Sequence, residues 1–366
     1  MKFDLDSVFI EHGCADSPLA TRVLRALPRD VPVTHVGDNE TREAARPASG
    51  VIDPFGAGKR RLLIARRKTP FLMPCPAGSS KFACCGYLVL TLASNCPMDC
   101  SYCFLQEYLA DNPAFQVYAN FTDSFDELDR LCANAHGRTF RVGTGELADS
   151  LAFDSITAIS RDLIDFFASR ENLTLELKTK TDEIENLLDL DPRGRVLVSW
   201  TLSPDAVYRS SEHLTASPAA RIAAARAVLD AGYRVAFHFD PLIAYPDAER
   251  DYLRLIDELL EVVPPKQISF ISVGGLRMTP RLRGAARSRF PADPMLCGED
   301  VLAADGRFRA FMPLRLSLYR TLADRFKKAS AEIPAYLCME PASVHEHVFG
   351  AAPAKAATIG ERLARG

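Results

Sequence analysis

The amino-acid sequence predicts an α/β protein whose main body is a partial (β/α)6 barrel, with a small N-terminal α/β unit before it and a C-terminal α-rich extension after it. Three observations carry this. Apolar, strand-like runs recur at 86–92, 139–142, 173–178, 195–201, 233–239 and 267–273. Helical patterns lie between them at about 123–134, 154–169, 182–189, 217–231 and 247–262. The runs are nearly continuous in apolar residues, which marks strands of a parallel sheet covered by helices. Six such runs are too few for a full eight-stranded barrel and suit an open one, with the site at the C-terminal ends of its strands.

Taken in order, residues 1–85 form the first unit. Ser17 caps a helix with Pro18 at its first position, and Leu19, Val23, Leu24 and Leu27 follow at helical spacing. The Pro- and Gly-rich stretch 46–59 reads as a linker or long loop, and Arg61–Arg66 as a strand. The barrel occupies 86–290, where the clearest helix is punctuated by Ser217-Pro218 at its start and Gly232 past its end. In the extension, 291–366, periodicity weakens except for an amphipathic helix near 311–329.

A chain of 366 residues with 48% hydrophobic and 25% charged residues has the apolar mass for a large core, which excludes a disordered chain, a collagen or a coiled coil. No apolar stretch reaches the ~18 residues that span a bilayer. Asp4, Asp6 and Glu11 stand where a signal peptide would be apolar. A cytoplasmic protein with no membrane partner is therefore expected. The net charge of −3 does not mark a bulk nucleic-acid binder but leaves room for a local basic patch.

Ten cysteines in a reducing compartment are metal ligands, cluster ligands or buried thiols rather than a disulfide framework. Cys96-Pro97-Met98-Asp99-Cys100-Ser101-Tyr102-Cys103 has C-x3-C-x2-C spacing directly after the strand at 86–92. Three thiolates on a short loop can ligate three irons of a [4Fe–4S] cluster and leave the fourth open to chelate S-adenosylmethionine, whose reductive cleavage gives a 5′-deoxyadenosyl radical. Tyr102 is placed to pack against the adenine. The alternatives are a zinc site lacking an obvious fourth ligand, or three unrelated buried thiols.

In this context the motif resembles the radical S-adenosylmethionine superfamily. The longer run Cys100–Leu109 (CSYCFLQEYL), with Val8–Leu24 and Arg66–Pro70, is similar to the spore photoproduct lyase-like branch, which repairs a thymine dimer in DNA. The resemblance implies cofactor contacts at Gly143, Thr144, Gly145 and Glu146, the last suited to the methionine ammonium, and at Lys180 and Ser199. A glycine turn with one acid, or a Lys and a Ser at strand ends, also occurs in any β/α protein. His238 and Asp240 would point toward the same mouth, as substrate contacts or as a structural pair. The branch uses a cysteine just after its second strand as hydrogen donor, where this chain has Thr144, and a tyrosine after the last cluster cysteine, where this chain has Phe104.

Cys75, Cys84, Cys85 and Cys338 remain. They could converge on an auxiliary cluster or metal; Cys338 or Cys85 could replace the missing hydrogen donor; or all could be small buried hydrophobes. Cys14, Cys132 and Cys297 have no companions and are expected to be structural. Residues 276–292 hold Arg277, Arg281, Arg283, Arg287 and Arg289 and no acid, a set able to meet phosphates. Gly306-Arg307-Phe308-Arg309 resembles the basic-aromatic hairpin that the lyase wedges into DNA. The reading is thus a carbon–carbon lyase-like radical enzyme, with DNA or another nucleic acid as partner and an electron donor such as flavodoxin or ferredoxin. The alternatives are a radical enzyme acting on a peptide or small metabolite, and a non-catalytic metal-binding module that recognises nucleic acid.

Overall fold

The computed structural model describes residues 4–37, 40–76, 82, 85–351, 360 and 363. Strands β1 (Ser7–Glu11), β2 (Val33–Val36) and β3 (Arg61–Ala65) open the chain and pair in parallel around β1. The helix Pro18–Ala26 covers them, capped by Ser17, whose Oγ accepts from the Ala20 amide at 3.1 Å. Leu19, Ala20 and Val23 form its buried face, while Leu24, expected on the same stripe, is turned outward.

Strands β4 (Leu72–Pro74) and β5 (Leu88–Leu90) pair antiparallel. After β6 (Ala93–Ser94), β7 (Asp99–Cys100) and β8 (Phe115–Tyr118) the chain enters its regular alternation, with β9 (Phe140–Gly143), β10 (Leu173–Thr179) and β11 (Val196–Thr201). There follow β12 (Glu212–His213), β13 (Arg234–Leu242), β14 (Ile268–Gly275) and β15 (Arg277–Met278), then β16 (Asp300–Leu302), β17 (Phe308–Ala310) and β18 (Ala335–Leu337). The main sheet has eight strands in the order β18-β14-β13-β11-β10-β9-β5-β4, parallel except at the β4 edge. All six expected strands are in it, and β18 and β4 extend it at the two ends.

A second sheet, β2-β1-β3-β8-β6, takes strands from both sides of residue 85, and β18 belongs to the main sheet, so pairing crosses both expected domain boundaries. The extension adds the β16–β17 hairpin, which turns at Gly306 with φ +76° and pairs with β15 to make a three-stranded sheet, β15-β17-β16. Its helix Met312–Ala329 lies against Ala248–Val262. Residues 182–189, expected to be helical, form turns instead. There the Thr179 and Thr181 hydroxyls accept from the Thr181 and Glu183 amides, at 3.0 and 3.1 Å, an arrangement that competes with a helix.

Alternation divides the main sheet. Leu173, Leu175, Leu177, Val196, Val198, Trp200, Val235, Phe237 and Phe239 join one large core under the helices. Their neighbours Glu176, Ser199 and His238, with Arg141, turn to the other face and are buried as well. The sheet curls enough that Arg141 reaches Cys85 at one edge (Nη2–Sγ 2.9 Å) and Tyr336 at the other (3.4 Å). Leu197, Ala236, Phe270, Tyr336 and Leu363 form a small apolar floor within the curl.

Candidate active site

The cysteine loop is pinned at both ends. Asn95, with φ +68°, accepts from the Cys96 amide at 2.8 Å and donates to the Pro113 carbonyl. At the other end β7 pairs with β12, placing Cys100 opposite Glu212. The Ser101 amide donates to the Ser211 carbonyl at 2.8 Å, and the hydroxyls of Ser101 and Ser211 both donate to Asp293. Cys96 sits in an apolar pocket with Phe55, Met98, Leu105 and Ala152, Cys100 in another with Tyr102, Val207 and Ile243, and Cys103 touches both.

Burial pushes the Cys96 thiol well up and the Cys100 thiol up to about 12. Each also feels the next: Cys100 raises Cys96, and Cys103 raises Cys100. Three neighbouring thiols, two of them buried, fit an iron–sulfur cluster, because coordination removes their protons and supplies the missing charge. Among the described residues no group of three or more His, Cys, Asp or Glu converges closely enough for a single ion. Cys85 and Cys338 pack against the same apolar floor, and among the described residues no third donor joins them in a metal group; Cys84 lies outside the described residues.

Tyr102 engages a buried relay. Its hydroxyl donates to Glu212 Oε1; Lys180 Nζ donates to Tyr102 Oη and to Glu212 Oε1, each at 2.7 Å. Arg221 Nη2 holds the other carboxylate oxygen at 2.6 Å. Burial works against a charged Glu212, but Arg221 and Lys180 outweigh it and hold the carboxyl below the usual range. Burial and the Glu212 carboxylate raise Tyr102, so the phenol keeps its proton. Lys180 follows the C-terminal end of β10, so the relay fixes the cysteine loop at the mouth of the curl. Glu212 and Arg221 escaped sequence reading; the available signal was one arginine on the buried face of the alanine-rich helix Pro218–Asp230.

Gly143 and Gly145 are required by close approach. A Cβ on Gly143 would lie 1.9 Å from Tyr87 Oη, and one on Gly145 2.7 Å from Lys178 Cβ. Thr144 points away from the curl: its hydroxyl donates to Ser150 Oγ at 2.7 Å beside a cavity of about 30 Å³, too small for a cofactor. Glu146 pairs with Lys178 at 3.8 Å, a lysine the sequence did not single out.

Ser199 donates to Glu176 Oε1 at 2.7 Å, which His238 Nε2 also meets at 2.8 Å, and Arg141 pairs with Oε2 at 3.1 Å. Despite burial, Arg141 and His238 hold Glu176 below the usual carboxylate range. Burial in turn lowers His238, keeping it neutral. Above this layer Arg277 brackets Asp240 at 3.2 and 3.4 Å. Sequence reading grouped His238 with Asp240; the structure gives each a different partner.

The basic segments separate. Arg277 turns into the mouth, where it pairs with Asp240, and Arg309 is buried against Asp305 (2.6 Å) and Glu340 (3.4 Å). Both meet carboxylates that lie outside the acid-free runs, which is why they read as exposed. Arg283 pairs with Asp300 and stacks over Phe308, its Cζ 4.5 Å from the ring. Arg307 is half-buried beside Asp305 at 3.6 Å, and Arg281 is exposed.

Comparison with known proteins gives a consistent result. The family model described as spore photoproduct lyase matches residues 3–292. The spore photoproduct lyase of Geobacillus sp. (strain Y412MC61) is 27% identical over 205 residues, 55% of this chain and 60% of that protein. The Bacillus subtilis (strain 168) lyase is 24% identical over 218 residues, covering 60% and 62%. The chain therefore spans about three fifths of the length of these curated relatives. A structure of spore photoproduct lyase complexed with dinucleoside spore photoproduct shares the fold, with TM-score 0.80 at 20% identity over 92% of this chain and 100% of that one. A double mutant of the lyase with bound AdoMet and dinucleoside spore photoproduct gives TM-score 0.77 at 21% identity, over 92% and 99%.

Proposed function

The chain belongs to the spore photoproduct lyase family, and from that premise we propose that it is a radical S-adenosylmethionine enzyme acting on a DNA lesion of the spore photoproduct class. The observation that carries the reading is the loop of Cys96, Cys100 and Cys103, tied through Tyr102 and Lys180 to the mouth of the curled sheet. The cluster these thiols would hold supplies the electron that cleaves S-adenosylmethionine to a 5′-deoxyadenosyl radical. The chain's own residues bind and orient. Glu146 suits the methionine ammonium, Lys180 and Tyr102 fix the loop against the cofactor, and the curl keeps water from a radical. Ser199 acts one layer down, by orienting Glu176. Arg281, Arg283 and Arg307 supply phosphate contacts.

No helix among the described residues is long and apolar enough to cross a membrane; the reduced thiols suit a cytoplasmic enzyme served by flavodoxin or ferredoxin. The inward turn of Arg277 and Arg309 favours a second reading, a radical enzyme for a peptide or small metabolite, because it thins the phosphate-facing surface. The test is anaerobic protein analysed for iron and sulfide, then given S-adenosylmethionine, a strong reductant and dinucleoside spore photoproduct. The reading expects about four irons. It also expects 5′-deoxyadenosine lost in Cys96→Ala, Cys100→Ala and Cys103→Ala, and photoproduct reverted to thymines. Bound zinc with no deoxyadenosine after reconstitution overturns the enzyme; deoxyadenosine with the photoproduct untouched promotes the second reading.

A further inference from the structure

We propose, resting on the radical reading above, that Cys338 is the side chain that gives a hydrogen atom to the substrate radical. The position after the second barrel strand, β9, cannot serve. Thr144 faces Ser150 outside the curl, and its strong O–H bond is a poor hydrogen source. Gly143 faces inward but has no room for a side chain against Tyr87. A donor must therefore come from elsewhere on the concave face.

Cys338 extends β18, its amide donating to the Val273 carbonyl at 2.7 Å, and alternation puts its side chain on the face of Tyr336. Arg277 Nη2 lies 3.9 Å from its sulfur while the same guanidinium brackets Asp240. Lys178 feels Glu146, Glu176, Asp240 and Cys338 together, and with Arg277 beside it the thiol sits among the charged groups of the concave face. Cys85 packs against the same apolar floor, but its sulfur is held by Arg141 at 2.9 Å, 1.0 Å closer than Arg277 comes to Cys338. A second observation marks the space as a ligand's. The Tyr87 hydroxyl is buried, on a residue only 8% exposed, and has no hydrogen-bond partner among the described residues. It is bordered by Cys85 and Glu146, the groups that also border Cys338. A buried phenol left unpaired is costly unless another molecule's polar atom meets it.

The step balances. The Cys338 S–H bond breaks and a C–H bond forms on the substrate carbon, so one hydrogen atom moves and a thiyl radical remains. One electron from the low-potential protein reductant that also serves the cluster, with a proton from water, restores the thiol. Burial, reinforced by Asp240, raises the Cys338 thiol well above its ordinary range. It is therefore protonated at neutral pH, as a hydrogen-atom donor must be.

The experiment uses reconstituted enzyme in D2O with S-adenosylmethionine and reductant, with and without dinucleoside spore photoproduct. A thiol exchanges its hydrogen with solvent, so the wild type puts deuterium into the repaired thymine, or into 5′-deoxyadenosine when no substrate quenches the radical. Cys338→Ser and Cys338→Ala lower that label about tenfold while 5′-deoxyadenosine still forms, and Cys85→Ser retains it. Separately, calorimetric binding of the dinucleoside weakens at least tenfold in Cys338→Trp, whose bulk fills the space beside the substrate carbon. Label independent of Cys338 in both assays, or binding unchanged in Cys338→Trp, overturns the assignment. Absence of 5′-deoxyadenosine from the wild type is a different failure: it sinks the radical reading and the donor with it.

Discussion

The two faces of the main sheet are made from the same strands and obey different rules. On the convex face Leu173, Leu175, Leu177, Val198 and Phe237 merge into one core in which any member contributes by area and fit. On the concave face Arg141, Glu176, Ser199 and His238 sit at equal depth, yet each is specified by a partner. A buried ion pair is weak evidence for stability, since an apolar replacement of both partners is often neutral or better. A chain that keeps such a layer beneath its mouth is keeping it for the site.

Three experiments probe that contrast. The largest effect is expected from Arg141→Ala, which strands Glu176 as an unpaired buried charge and costs about 3–5 kcal/mol in denaturant unfolding. Leu175→Ala on the convex face should cost about 2–5 kcal/mol by cavity formation. The distinguishing result is the double variant Arg141→Leu, Glu176→Leu, which should recover most of the loss. If it is no more stable than Arg141→Ala, the pair is structural and the contrast fails.

The second experiment is pH. Glu176 and Glu212 have folded pKa values below their unfolded ones, and burial lowers His238 and His345 too. In each case the unfolded state binds the proton more readily, so stability rises with pH. It should fall as the pH drops below about 6.5, from the histidines, and more steeply below about 4.3, from the carboxyls. Thermal melts from pH 8 to 4 read both segments, and His238→Gln should flatten the upper one to the share of His345. An upper segment as steep as in wild type would mean His238 is charged in the folded protein.

This division also explains what was legible beforehand. The strand runs show in the sequence because their outward residues are apolar and their inward ones few. Strands β4 and β18 were missed because three-residue edges such as Leu72–Pro74 and Ala335–Leu337 carry no period. The cysteine loop is read from spacing alone, since a cluster needs its ligands close in sequence. Its supports are not, because Tyr102 reaches Lys180, Glu212 and Arg221 across separations that only the fold closes. Glu176 and Lys178 look in sequence like the wet side of a strand, and only the curl of the sheet turns that side inward.

The smallest effect tests the same distinction on the arginines. Arg281 is exposed and Arg307 half-buried, whereas Arg309 meets Asp305 and Glu340 in the interior. Arg281→Glu should leave the melting temperature at the wild-type value, and Arg307→Glu, which loses a pair with Asp305, should lower it less than Arg309→Glu does. Arg281→Glu and Arg307→Glu should each lower the slope of log affinity for duplex DNA against log salt by about 1, the share of one phosphate contact. Arg309→Glu should do the reverse, placing a third carboxylate beside two others and lowering the melting temperature before it touches the slope. Equal slopes for wild type, Arg281→Glu and Arg307→Glu would mean that this rim meets no phosphate. A substrate smaller than DNA would then suit the mouth better.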